Sequence, residues 1–284
     1  MNKNKIALIT DSTSDIPESV AQELDIKIVP LQVVYPEAQF RDGVDIQTSQ
    51  VYDQMPEKIP TTSTPRSEDL LAVLKKIVED GYEKIFAIHI SSGLSGTFSM
   101  VETLAKQMVS LPVHVEDSKS ISLGLGFQAI EAAKMIREGL DFEKIIQRIR
   151  ELRPQVQVYY VLKTLEYLQR GGRIGRVSAV LGSLMDIKPI ISIDEEGKYY
   201  PVAKERGRKK SIDRLINIVI QKAGRKPVNL AVLHGAALEE AQHILDKLKE
   251  ALDLRYTYLG QVSPVTGVHT GPGLLGVGFF PTEY

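Results

Sequence analysis

The chain contains no cysteine and no tryptophan. Without thiols there is no disulfide, no thiolate metal ligand and no cysteine nucleophile. The lack also fits a reducing compartment. No excess of charge exists either: 35 Lys and Arg face 36 Asp and Glu, a formal net charge of −1. That excludes a basic surface spread over the whole protein, so no nucleic-acid partner is expected beyond what a local patch could hold. Long apolar runs are missing. "IALI" near the start is too short for a signal-peptide core, and no stretch approaches the ~20 apolar residues of a membrane span. The expected location is the cytoplasm. His114, His234 and His243 share no metal-ligand spacing, so neither a metal nor a cofactor is expected.

What remains is a globular composition, 43% hydrophobic and 25% charged over 284 residues. In the first half, strand-like runs ("KIALIT", "IKIVPLQVVY", "KIFAIHI", "VHVED") alternate with helical patterns. One helix carries Leu70, Leu74, Ile77 and Val78 on a face, with Thr64 expected as N-cap, Pro65 at the first helical position and Gly81 as stop. Another carries Phe98, Val101, Leu104, Ala105 and Met108, and two more follow at "GFQAIEAAKMIREG" and "DFEKIIQRIRELR". Such alternation implies βαβ units and a mostly parallel sheet. After Pro154 the pattern changes. A strand "QVYYVL" leads to a basic turn "QRGGRIGR", a short helix "VSAVLGSLM" and a hairpin around "DEEG". The expected architecture is two α/β domains, 1–155 with a mostly parallel sheet and 156–284 with a mixed one.

"SSGLSGTFS", Ser91 to Ser99, places five hydroxyls and two glycines directly after a strand. Three chemistries compete for it. A nucleophile elbow needs G-x-S-x-G, and Ser95 has Gly93 before it but no glycine two residues after. A serine acyl hydrolase using Ser95 is the alternative reading. A P-loop is excluded, because no lysine follows Gly96. "GLGFQA" matches a dinucleotide fingerprint but does not start at a strand end, so helix packing explains it better. The third chemistry is an anion clamp: hydroxyl donors beside a helix N-terminus at the C-terminal edge of a sheet. "TTST" repeats the arrangement at the previous helix start, and "TDSTSD" and "EDSKS" lie at other strand ends. His89, two residues before Ser91, reads as a hydrogen-bonded core histidine.

Seven segments in order, "TDSTSDIP", "TSTP", "SSGLSGT", "EDSKSISLGLG", "LEYLQRGGRIG", "KPIISIDEEGK" and "HTGPGLLGVGF", resemble the bacterial DegV family over nearly the whole chain. The family's threonine-serine-glutamine-proline run reads Thr62, Ser63, Thr64, Pro65 here, with the glutamine replaced. The resemblance implies a two-domain α/β lipid binder that holds one long-chain fatty acid between its domains and does no chemistry itself. It implies a carboxylate held by Thr62 and Ser95, with Ser63 and Ser92 as neighbours, and with His269 and Arg170 at the same site. It further implies a partner, an ATP-dependent fatty acid kinase that makes acyl phosphate for phospholipid synthesis. Arg173 and the arginines of "KERGRKK", Arg206 among them, are then the expected kinase contacts.

Overall fold

The computed structural model describes residues 3–180 and 187–282. The chain opens with β1 (Ile6–Asp11), a 3₁₀ turn at Ser12–Ser14, α1 (Glu18–Glu23) and β2 (Ile26–Val29). Next come β3 (Gln32–Val34), β4 (Gln39–Arg41), α2 (Thr48–Gln54), β5 (Thr61–Ser63) and α3 (Ser67–Glu79). β6 (Lys84–His89), α4 (Thr97–Met108), β7 (Val113–Asp117), α5 (Leu123–Glu138) and α6 (Phe142–Leu152) complete the first half. The second half runs β8 (Gln157–Val161), α7 (Glu166–Arg170), β9 (Ile187–Ile193), β10 (Tyr199–Arg206) and α8 (Arg208–Ala223). It ends with β11 (Val228–His234), α9 (Leu238–Ala251), β12 (Leu254–Gln261), α10 (Pro264–Thr270) and β13 (Leu275–Pro281).

The first sheet has the order β2-β1-β6-β7 and is parallel throughout. Its central strands are apolar on both faces because both faces are covered. Ala7, Ile9, Ile85 and Ala87 meet α3 and α4 through Leu70, Leu74 and Val101. Ile6, Leu8, Phe86 and Ile88 face the other way, toward α5. The second sheet, β10-β9-β8-β13-β11-β12, is mixed: only β11 and β12 run parallel. Val161, Val232 and Val277 pack under α8 and α9, while Val158 and Tyr160 join the core around α5.

α5 is therefore a shared layer that touches both sheets. Leu123, Leu125, Phe127 and Ala129 are buried, and the Phe127 ring meets Phe280 of β13 at 5.0 Å. A helix apolar nearly all round must be covered nearly all round. Its two glycines serve this packing: a Cβ at Gly124 would strike the Ser120 side chain, and one at Gly126 the Ser14 carbonyl.

A third sheet, β4-β3-β5, is antiparallel and was not expected. "IKIVPLQVVY" splits at Pro30 into β2 and β3, each in a different sheet. "TTST" is not a helix start. Thr61 to Ser63 pair with Val34 to Gln32, and α3 begins at Ser67 with Arg66 as N-cap. α10 also went unread. Ser263 followed by Pro264 is its helix-start signal. The helix expected at "VSAVLGSLM" begins as a 3₁₀ turn at Gly175–Val180, and its remainder lies outside the described residues.

Candidate ligand cavity

A cavity of about 280 Å³ opens where β6 ends and α4 begins. Four separate parts of the chain supply its polar end. β5 gives Thr62 and Ser63, the loop before α4 gives Ser95 and Gly96, the turn after α7 gives Arg173, and α10 gives Thr266 and His269. Thr64, Leu31, Ile90, Leu94, Ile121, Tyr199 and Val265 supply the rest of the wall. Among the described lining residues Arg173 is the one with a permanently charged side chain.

Thr62 Oγ1 lies 2.7 Å from His269 Nε2. The imidazole is pushed down to about 4, by burial first and by the Arg173 charge second, so it is neutral at pH 7. Its Nδ1 has no hydrogen-bond partner among the described residues and packs against Gly171, where a Cβ would collide with the ring. Ser95 is half-buried, with its Oγ 2.9 Å from Thr97 Oγ1 and accepting the Thr97 N–H at 3.3 Å. It thus closes the first turn of α4 and lines the cavity at the same time. Arg173 donates Nε to the Leu94 carbonyl at 3.2 Å and Nη1 to the Gly171 carbonyl at 2.6 Å. Two of the five guanidinium donors thereby anchor the group beside the cavity.

The two glycines of the quoted loop differ. A Cβ on Gly93 would sit 2.8 Å from the carbonyl oxygens of Glu196 and Gly197, at the tip of the β9–β10 hairpin. One on Gly96 would meet only the Thr64 methyl, at 3.7 Å. The first glycine lets the hairpin, and with it Tyr199, close over the loop.

The expected site residues divide in two. Thr62, Ser63, Ser95 and His269 all line the cavity. Ser92 and Arg170 do not join them. Ser92 is exposed, its N–H directed at Asp117 and its hydroxyl accepting from Lys119 at 3.3 Å. Arg170 is exposed on α7 and pairs with Glu166 one turn back, at 2.7 Å. Arg173, expected at a docking surface, lines the cavity instead, and Arg206 is exposed on β10. Sequence reading missed Thr266 and Tyr199. Nothing local marked Tyr199, whereas Thr266 follows from the overlooked α10.

His89 is fully buried, with Nδ1 3.0 Å from Asp11 Oδ2. It does not line the cavity, and among the described residues no imidazole is hydrogen-bonded to Ser95. None of the described residues forms a cluster of three or more metal-binding side chains, and none of the described helices is long and apolar enough to cross a membrane.

Two sheets closed over a common helix, with an amphiphilic cavity at the strand ends, define an α/β protein of the ligand-cavity type. The chain belongs to the DegV family, whose model, described as an uncharacterised protein family, matches residues 5–282. It is 40% identical to a DegV domain-containing protein of Clostridium acetobutylicum over 276 residues, 97% of this chain and 99% of that one. A solved DegV-family protein from Thermus thermophilus, described as binding fatty acid, superposes with a TM-score of 0.91 at 32% identity, covering 97% of this chain and 99% of that one. DegV from Bacillus subtilis, described as a fatty acid binding protein, gives 0.87 at 32% identity over 98% and 99%.

Proposed function

We propose that this protein is a cytoplasmic carrier that binds one long-chain fatty acid, between its 1–155 and 156–284 halves, and performs no chemistry on it. One observation carries the reading: a cavity with an apolar part has at its polar end Arg173, the one cation among its described lining residues, beside the hydroxyls of Thr62, Ser63, Ser95 and Thr266 and a neutral imidazole. A buried carboxylate needs such donors to offset its desolvation. The tail supplies the affinity, since at ~0.8 kcal/mol per buried CH₂ a sixteen-carbon chain gains roughly 10 kcal/mol before entropy costs. The described fatty-acid binding of the Thermus and Bacillus relatives supports the same ligand.

Ser95 in this reading is a carboxylate donor, not a nucleophile, in keeping with its bonds to Thr97 rather than to a base. The carrier then presents its acid to an ATP-dependent fatty acid kinase, with exposed Arg206 as a contact. The test is to denature the purified protein and analyse the organic extract by mass spectrometry. About one long-chain fatty acid per chain is expected, with no turnover of p-nitrophenyl acyl esters. An extract without fatty acid, or ester turnover lost in Ser95→Ala, would overturn the reading.

A further inference from the structure

α10 is seven residues long, too short to hold its shape alone, yet it carries Val265, Thr266 and His269 to the cavity. By chain order it belongs to the second half, between β12 and β13. Its packing partners are largely from the first: α2, β3, β5 and the Ser12–Ser14 turn. Val265 and Val268 are buried with Leu31, Val33, Val51 and Met55. Apolar contact of this kind leaves the rotation and slide of a short helix loosely set, because it is not directional.

Directional bonds from the first half do that work. The Ser263 N–H donates to Asp15 Oδ1 at 2.8 Å, and the Val265 N–H donates to Asp42 Oδ1 at 2.9 Å. Thr48 Oγ1 donates to the Val262 carbonyl at 2.6 Å, and the Tyr52 hydroxyl to the Gly271 carbonyl at 3.3 Å. Asp42 is 2% exposed, so its bond to the Val265 N–H runs in a low-dielectric setting where water does not compete for it. Asp42 also follows β4 directly, and its own N–H bonds the Leu31 carbonyl at 2.9 Å. It is thus fixed to the same small sheet that carries Thr62 on β5. Both sides of the 2.7 Å Thr62–His269 contact are referenced to one rigid platform. Val265 precedes His269 by about one helical turn, so a shift of the first turn carries the imidazole with it.

We propose that Asp15 and Asp42 are positioning residues of the carboxylate site, which lock the first turn of α10 so that His269 meets Thr62. The proposal rests on the fatty-acid reading above. It extends the site to two carboxylates that never touch the ligand. A short acceptor side chain at each position ties a segment of the second half to the first without entering the cavity wall.

The test compares palmitate with hexadecanol, titrated into delipidated protein. The alcohol keeps the tail and lacks the carboxylate. Asp42→Ala is expected to weaken palmitate about tenfold and leave hexadecanol unchanged, because only the polar end is displaced. Asp42→Asn keeps an acceptor oxygen for the Val265 N–H and is expected to restore palmitate affinity. Asp15→Ala removes the other bond and supplies the same test if Asp42→Ala does not fold. The proposal is overturned if folded alanine variants keep the wild-type ratio of palmitate to hexadecanol affinity. It is equally overturned if both ligands weaken together, or if Asp42→Asn fails to restore the ratio. Wild-type protein that binds neither ligand would instead sink the fatty-acid reading itself.

Discussion

Thr62 and His269 stand 207 positions apart, and nothing in the local sequence of either names the other. Thr62 stood in a hydroxyl-rich turn and His269 was legible through the family resemblance, whereas one nearby fact could have been read directly. Glu166 and Arg170 are spaced for a helical ion pair, and the structure forms it, which turns Arg170 outward. Arg173 lies beyond two glycines that end the helix, and that turn aims it at the cavity. Thr62→Ala and Ser95→Ala should each weaken fatty-acid binding by about 1–3 kcal/mol, since each removes a donor near a buried charge. Arg170→Ala should leave calorimetric affinity unchanged. Burial raises Asp15 to about 6 and Asp42 to about 7. A carboxyl with a raised folded pKa binds more protons folded than unfolded, so its stabilising contribution is lost as pH rises through that value. His269, held down to about 4, works in the opposite sense over the same range, because its unfolded form takes up a proton as pH falls. Comparison with Asp15→Asn, Asp42→Asn cancels the histidine. On going from pH 8 to pH 5, the melting temperature of wild type should rise relative to that double variant.

At the scale of elements, the long pieces were readable and the short ones were not. α3 and α4 show one apolar face each, and β1 and β6 are short apolar runs bounded by turns. β3, β4 and β5 have three residues apiece, too few for alternation to register, and α10 has seven. Those pieces build one side of the cavity, so the site was less legible than the fold around it. The β9–β10 hairpin was expected, but its docking onto the serine-glycine loop was not, because close approach of two backbones leaves only a glycine as its trace. Gly93→Ala should destabilise the protein by roughly 1–3 kcal/mol and weaken ligand binding, as the hairpin tip must shift. Gly96→Ala should be close to neutral, since its new methyl meets only a methyl at van der Waals distance. Urea denaturation of the two variants checks the contrast.

The whole molecule has two larger sheets that share α5 and a small third sheet, β4-β3-β5, with α10 pinned across from the second half to the first. The sequence pattern changes after Pro154, between β7 of the parallel sheet and β8 of the mixed one. It could not show that the two parts share one helix, since that depends on contacts between distant faces. A ligand seated among elements of both halves should stabilise them together. Palmitate at a hundred times its dissociation constant should add about 2.7 kcal/mol, seen as a raised melting temperature that delipidation reverses. The most direct test of a carboxylate held at the hydroxyl end is calorimetric titration of palmitate and hexadecanol into wild type and the double variant Thr62→Ala, Ser95→Ala. Wild type should prefer the acid, and the double variant should narrow the preference by weakening the acid alone. Equal affinity for acid and alcohol in wild type, or a preference that survives both substitutions, would contradict the account and place the carboxylate elsewhere.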